Sequence, residues 1–347
     1  MSQRNYPLNA WWVAASAEEV TRQPLSRWLM ERRVVLYRTA NGLPVALDDR
    51  CAHRWAPLSQ GKLLGDEIVC PYHGFRYNAD GKCTLVPTQS QVPSALKVNS
   101  YPVLEYGSYV WIWFGDPTKA DFDLLPRIPW FTDSKFLQLR LYYDLKCNYM
   151  LLQENVLDLT HVPHLHGQVQ LEGWDSPVLE VKATEREVTY EQRVLDVPAY
   201  PSQAATMCIE AGRRLTRSDW GTFACPSFHY SGSDFEDPSP PEGGRRKYAF
   251  RGLHLTTPIS PTRTHYWAAV AQDYGHSVPD LMQQFYALLD LTAKQDQTLL
   301  EDLQVTIGRD LRGSDVPEVL LASDRAPVIA RRILKRMLDA EQSLGSS

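Results

Sequence analysis

The sequence predicts an α+β chain of two domains. The first is all-β, and the second sets helices against an antiparallel sheet. Three observations carry this. Short β-rich runs broken by Asn41-Gly42 and Asp80-Gly81 fill the first third of the chain, and such dipeptides mark hairpin turns. Longer alternating runs follow from Val178 to Val270, the period of half-buried strands. Helically spaced apolar residues then dominate the C-terminal part. A length of 347 residues suits two domains, and 44% hydrophobic against 22% charged residues gives enough apolar mass for a sizeable core.

In chain order, Met1 to Pro7 shows no apolar stretch, so no signal peptide is expected. Arg33–Tyr37 and Pro44–Leu47 form one candidate hairpin, and Phe75–Lys82 turns at Asp80-Gly81 into another. Tyr101–Val103 and the aromatic run Tyr109–Gly115 read as closing strands. The polar, turn-rich stretch Asp116–Asp121 places a domain boundary near 118, giving domains 1–118 and 119–347. A helix is expected over about Asn148 to Val162, ended by Pro163. Strands are expected at 178–181, 188–194, 248–255 and 264–270, forming one antiparallel sheet. Ser231 to Arg246, rich in Gly, Pro, Ser and acids, reads as a surface loop, either a lid or a disordered connector. Helices are expected over about Asp280–Gln304 and Val328–Leu338.

The chemistry starts at Cys51-Ala52-His53, followed after sixteen residues by Cys70-Pro71-Tyr72-His73-Gly74. Two thiolates and two imidazoles fit either a structural zinc ion or a Rieske [2Fe–2S] cluster. The order favours the cluster. Each pair reads Cys then His, so each loop can give a thiolate to one iron and an imidazole to the other. A zinc finger usually reads C-x2-4-C and then H-x3-5-H. The pattern, with Cys51-Ala52-His53-Arg54 and Cys70-Pro71-Tyr72-His73-Gly74-Phe75, resembles the Rieske domain of bacterial Rieske non-haem iron oxygenases. Asn9–Ala14, with its Trp pair, resembles the opening of that family. Neither loop holds an extra Cys, which departs from respiratory Rieske proteins. Cys83, Cys147, Cys208 and Cys225 show no paired spacing and read as reduced, buried thiols, with Cys83 structural.

A second constellation lies in Asn155-Val156-Leu157-Asp158-Leu159-Thr160-His161, followed by His166. Asn155, Asp158 and His161 recur every three residues, which on a helix shares one side. Two imidazoles from a helix end and a turn, with one distant carboxylate, would make the facial triad of non-haem Fe(II) oxygenases. The segment resembles the D-x2-H-x4-H motif of Rieske oxygenases, nearest to the vanillate and dicamba O-demethylase group. The resemblance implies His161 and His166 as iron ligands, Asp158 as the carboxylate bridging to a cluster His, and Asn155 beside the iron. His164 does not fit the pattern. Lys294–Glu301 resembles the family's C-terminal helix, which implies Asp296 as third ligand, with Asp290, Glu301 and Asp302 as alternatives. The family commonly has an acid just before that Asp, where this chain has Gln295. Arg251–Pro258 resembles a strand whose His faces substrate, so His254 is a substrate-binding candidate, with His229 and Tyr230 weaker ones.

The resemblance also implies a helix-grip (START-like) catalytic domain and a homotrimer in which His73 of one subunit meets Asp158 of the next. The implied activity is that of an oxygenase component using O2 to hydroxylate or O-demethylate a small aromatic acid or methyl ether. No dinucleotide fingerprint or flavin motif is present. NAD(P)H electrons are therefore expected through a separate reductase (flavin plus ferredoxin domain) or a ferredoxin. A ring-hydroxylating dioxygenase subunit and a cluster-only electron carrier are the alternatives. Net charge −5 without a basic stripe speaks against nucleic acid, and no apolar run reaches membrane-spanning length. A cytoplasmic location is expected.

Overall fold

The computed structural model describes residues 6–169, 172–309 and 318–344. Residues 1–5, part of the segment expected to hold no signal peptide, lie outside them. The chain divides into two compact units, Met1–Phe131 with Thr257–Ser260, and Thr132–Thr256 with Pro261–Ser347.

The first unit is all-β. Its strands are β1 (Trp11–Ser16), β2 (Leu25–Leu29), β3 (Arg32–Arg38), β4 (Pro44–Asp48), β5 (Lys62–Leu64), β6 (Glu67–Val69), β7 (Arg76–Tyr77), β8 (Cys83–Leu85), β9 (Ser100–Tyr101), β10 (Val103–Tyr106) and β11 (Tyr109–Trp113). They form three antiparallel sheets, in the orders β1-β11-β10, β2-β3-β4-β9 and β5-β6-β7-β8. The expected hairpin is β3–β4, with Val35 opposite Leu47, Tyr37 opposite Val45 and Gly42 at φ +81° in its turn. The tryptophan pair lies on β1, where Trp11 meets Trp113 edge-on at 5.4 Å and Trp12 is fully buried. At the β7–β8 turn, Asn78 Oδ1 accepts from the amides of Asp80 and Lys82. Gly81 there sits at φ +77°, and a Cβ would fall 2.2 Å from the Val98 carbonyl oxygen. Only glycine satisfies both demands.

The second unit contains β12 (Leu137–Leu145), α1 (Tyr149–Leu157), α2 (Val162–Leu165), β13 (Glu180–Ala183), β14 (Glu187–Pro198), α3 (Pro201–Met207), β15 (Arg214–Ala224), β16 (Phe228–Glu236), β17 (Lys247–Ser260), β18 (Arg263–Gln272), α4 (Leu281–Arg309) and α5 (Arg325–Leu344). One seven-stranded sheet runs β12-β18-β17-β16-β15-β14-β13. The pairs β12–β18, β13–β14, β14–β15, β15–β16 and β16–β17 are antiparallel, as the alternation predicts. Helix α4 packs on β12 and α1, burying Leu300 with Leu145, Leu152 and Val156. Helix α5 packs on β13, β14 and α1, placing Ala326, Ala330 and Ile333 against Val188, Tyr190 and Phe223.

Three expectations need correction. Cys147 and Cys225 are buried, but Cys83 is half-buried and Cys208, at the end of α3, is exposed. Ser231–Arg246 is not one loop. Residues 231–236 belong to β16, paired with β15 and β17, and the connector after it is tied down. Asp237 is buried and held by Arg213 Nε at 2.7 Å, and its amide donates to the Arg246 carbonyl. The helix expected over 148–162 is broken. α1 stops at Leu157, Asp158 is extended (φ −122°, ψ 93°), and a 3-10 turn, Leu159–His161, leads into α2. Asp158 ends the first helix because its carboxylate caps the next turn, accepting from Thr160 N (3.0 Å) and Oγ1 (2.7 Å). An Asp in this role favours a boundary over a helix interior. Pro163 does not terminate the segment. It lies in the first turn of α2, where its missing N–H costs nothing.

Candidate functional site

The first candidate centre lies in the first unit, on two loops with the same backbone closure. In the loop before β5, the Cys51 amide donates to the Ala56 carbonyl and the Trp55 amide to the Cys51 carbonyl, both at 2.9 Å. In the β6–β7 loop, the Cys70 amide donates to the Phe75 carbonyl (2.8 Å) and the Gly74 amide to the Cys70 carbonyl (3.1 Å). The fourth residue after each Cys is left-handed, Trp55 at φ +59° and Gly74 at φ +73°. Pairing of Cys-x-His with Cys-x-x-His did not reveal this shared turn, because Trp55 stands where glycine would announce it.

The two loops bring their ligand types together by depth. Cys51 and Cys70 are buried in one core cluster with Phe75 and Tyr77, while His53 and His73 are exposed. The two imidazole rings lie 4.8 Å apart. Burial pushes the Cys70 thiol up, against the pull of hydrogen bonds from the Tyr72 and His73 amides. Tyr77 Oη lies 3.2 Å from Cys51 Sγ and accepts from the Ala52 amide. This donor set fits a [2Fe–2S] cluster: inner thiolates suit one iron and outer imidazoles the other.

The second candidate centre lies in the second unit. His161 and His166 bracket α2, with rings 5.3 Å apart and 79° between their planes. His161 Nδ1 is 2.8 Å from the Asp158 carbonyl oxygen. A carbonyl only accepts, so Nδ1 carries the proton and the Nε2 lone pair points away from it. Both Nε2 atoms face Asp296 Oδ1, at 3.5 Å from His161 and 3.3 Å from His166. The ligand atoms of these three residues all lie within 4.8 Å of one another. Two imidazole nitrogens and one carboxylate oxygen on one side of a site fit the facial triad for Fe(II).

Asp296 reaches the histidines because α4 is fastened to the start of α1. Gln304 Oε1 accepts from the Asn148 amide, and Glu301 Oε1 accepts from the Lys146 amide. The alternative acids are engaged elsewhere or exposed: Asp290 with Lys294 and Tyr143, Glu301 with Lys146 and Gln297, Asp302 in solvent. His164 is exposed. Asn155 Nδ2 donates to Asp296 Oδ1 at 3.3 Å, and its buried Oδ1 has no hydrogen-bond partner. A groove of about 410 Å³ opens beside His161, lined in part by Leu151, Asn155, Asp158, Leu299 and Leu303.

His254 and His229 face each other across β16 and β17 with stacked rings 5.5 Å apart. His254 Nδ1 is 2.7 Å from Tyr266 Oη. Burial pushes the His254 imidazole down to about 4 despite the Asp296 charge, and burial likewise holds the His229 imidazole far below its usual range. Both are neutral at pH 7. Tyr230 is half-buried against Trp220 and Phe228.

Sequence reasoning passed over Gln295 except as a departure. Its Oε1 lies 2.9 Å from His166 Nδ1 and accepts from Gln168 Nε2 at 2.8 Å. The available signal was its place beside Asp296. Burial lowers the His166 imidazole, but Asp296 and Gln295 outweigh it and the net shift is upward.

Residues 10–102 match the Rieske [2Fe–2S] domain, and residues 145–340 match the vanillate O-demethylase oxygenase C-terminal domain. The chain is 31% identical to the toluene-4-sulfonate monooxygenase system iron-sulfur subunit of Comamonas testosteroni, over 96% of this chain and 97% of that one. It is 28% identical to the dicamba O-demethylase oxygenase component of Stenotrophomonas maltophilia, over 96% and 98%. The crystal structure of dicamba monooxygenase bound to 3,6-dichlorosalicylic acid superposes with a TM-score of 0.88 at 26% identity, covering 96% of this chain and 98% of the other. Among the described residues, no helix is long and apolar enough to cross a membrane.

Proposed function

This chain belongs to the Rieske oxygenases of the vanillate O-demethylase type, and we propose that it hydroxylates or O-demethylates a small aromatic acid or aryl methyl ether. It is the oxygenase component of a multi-component system and takes its electrons from a reductase. The reading of its site rests on one observation. His161, His166 and Asp296 converge with their metal-facing atoms inside one small volume, in a chain that also carries the paired Cys/His loops. Three relatives are named for toluene-4-sulfonate, dicamba and vanillate, all aromatic acids, and a fourth for a neutral chloroacetanilide. The three acids favour an anionic aromatic substrate here.

When bound, the mononuclear iron supplies dioxygen activation, with electrons stored in the cluster. The chain's residues do the rest. Cys51, Cys70, His53 and His73 would hold the cluster. His161, His166 and Asp296 would hold the iron. Asn155 steadies the Asp296 carboxylate through its amide. His254, neutral and fixed by Tyr266, offers its other ring nitrogen to a polar substrate group. Asp158 is assigned a double role. Its carbonyl orients His161 and Thr160 engages its Oδ1, while Oδ2 accepts from the ring N–H of His73 in the next subunit of a homotrimer. Residues 1–118 are taken as the cluster domain and 119–347 as the catalytic domain. The protein is placed in the cytoplasm, with NAD(P)H as the ultimate electron source.

The test supplies NAD(P)H, a generic reductase and a panel of aromatic acids and methyl ethers, and measures oxygen uptake and formaldehyde. Turnover of at least one aromatic acid or ether is expected. His161→Ala is expected to keep the brown cluster absorbance and lose turnover. Turnover retained in His161→Ala contradicts the assignment.

A further inference from the structure

We propose that Gln295, paired with Gln168, is a positioning residue that decides which ring nitrogen of His166 carries the proton, and so keeps the Nε2 lone pair free for the metal. This rests on the assignment of His161, His166 and Asp296 as one metal site. His161 needs no such help, because a backbone carbonyl already fixes its proton on Nδ1. His166 has no backbone partner at Nδ1. What faces that nitrogen is the side-chain amide of Gln295, at 2.9 Å.

A carboxylate in that place would only accept, and would hold the His166 proton on Nδ1. An amide has two ends. With Oε1 toward His166, the proton sits on Nδ1 and the Nε2 lone pair faces the Asp296 side, 3.3 Å from Oδ1. With the NH2 end toward His166, the amide donates to Nδ1, the proton moves to Nε2, and that nitrogen can no longer bind a metal. Gln168 Nε2 donates to the same Oε1 at 2.8 Å, which favours the orientation with Oε1 toward His166 and leaves His166 metal-ready. Gln168 is exposed, follows the His166 turn directly, and reaches back to α4. The pair is thus a neutral, reversible orienter where the family resemblance leads one to expect an acid. Loss of such an outer hydrogen bond to a ligating His costs about 10- to 100-fold in metal affinity.

The experiment uses the full chain with its cluster in place. A chelator removes the mononuclear metal, and Co(II) is titrated back while its visible ligand-field bands are recorded. Gln295→Met keeps the side-chain length and removes the amide. It is expected to weaken Co(II) binding about 10- to 100-fold and to change the band pattern, with the cluster absorbance unaltered. Gln295→Glu, an obligate acceptor, is expected to bind at least as tightly as the parent. Gln168→Leu, a surface change that leaves folding untouched, is expected to weaken binding several-fold. Gln295→Met binding within about twofold of the parent, or Gln295→Glu binding as weakly as Gln295→Met, overturns the proposal. If Gln295→Met does not fold, parent-like binding by Gln168→Leu overturns it. Asp296→Ala separates the two layers. Loss of Co(II) binding there beside parent-like Gln295→Met removes only the positioning role. Parent-like binding by Asp296→Ala removes the metal-site assignment as well.

Discussion

His254 shows what burial does to a single side chain in this site. Its imidazole is pushed down to about 4, from an ordinary value of 6.5 in the unfolded chain. Between those values the unfolded chain holds a proton on His254 that the folded chain does not. Folding stability therefore falls as pH drops from about 6.5 toward 4, and the loss is complete below that. His254→Asn is expected to flatten this part of the curve, read as the urea midpoint at pH 7 and pH 5. A variant whose midpoint drops as much as the parent's would place the acid sensitivity elsewhere. His229 is a neighbour of the same kind, and its imidazole is also held low by burial, so the flattening is partial. The proposed ligand residues stand out in the sequence because chemistry restricts such patterns. Few arrangements other than a metal site require Cys-x-His and Cys-x-x-His together. Gln295 was not legible, because a neutral amide on a helix has no signature until its partners His166 and Gln168 are seen.

At the scale of elements, the sequence was informative where apolar alternation is unbroken and misleading where polar groups go inside. β3, β4, β14, β17 and β18 were each recognisable in part. β15 was not. Its inward positions include Leu215, Arg217, Asp219, Gly221 and Phe223, so the middle of the strand reads as polar. The reversal is possible because Asp219 is saturated by Arg217, Trp174, Gln192 and Ser233. Buried polar groups are tolerated when each is hydrogen-bonded. The break at Asp158 was missed for a related reason: spacing alone gives Asn155, Asp158 and His161 one helical face. Capping overrides it, and places His161 on a turn instead. The start of α1 depends on Asn148. Its Oδ1 accepts from the Met150 amide and its Nδ2 donates to the Pro261 carbonyl. Asn148→Ala is expected to lower stability by about 1 kcal/mol, measured by chemical denaturation. It should also lower mononuclear iron occupancy, since α1 carries Asn155. Unchanged stability would show that the cap contributes nothing.

At the scale of the whole molecule, the proposed oxygenase reading requires that electrons pass from the cluster to the mononuclear iron. The proposed route uses Asp158 of one subunit and His73 of its neighbour in a trimer. Asp158→Asn keeps the backbone carbonyl that orients His161 and a side-chain oxygen for Thr160. Both metals are therefore expected to stay bound while electron transfer slows by orders of magnitude, read by single-turnover oxidation of the reduced cluster in the presence of substrate and O2. Normal oxidation in that variant would end the bridging role.

The central claim is that one chain holds a cluster and a separate mononuclear iron held by Asp296. Iron and acid-labile sulfide, counted per chain in the parent and in Asp296→Ala, test it most directly. The account predicts about three irons and about two sulfides in the parent, and about two irons with both sulfides kept in the variant. A parent with only about two irons, or a variant that keeps about three, would contradict it.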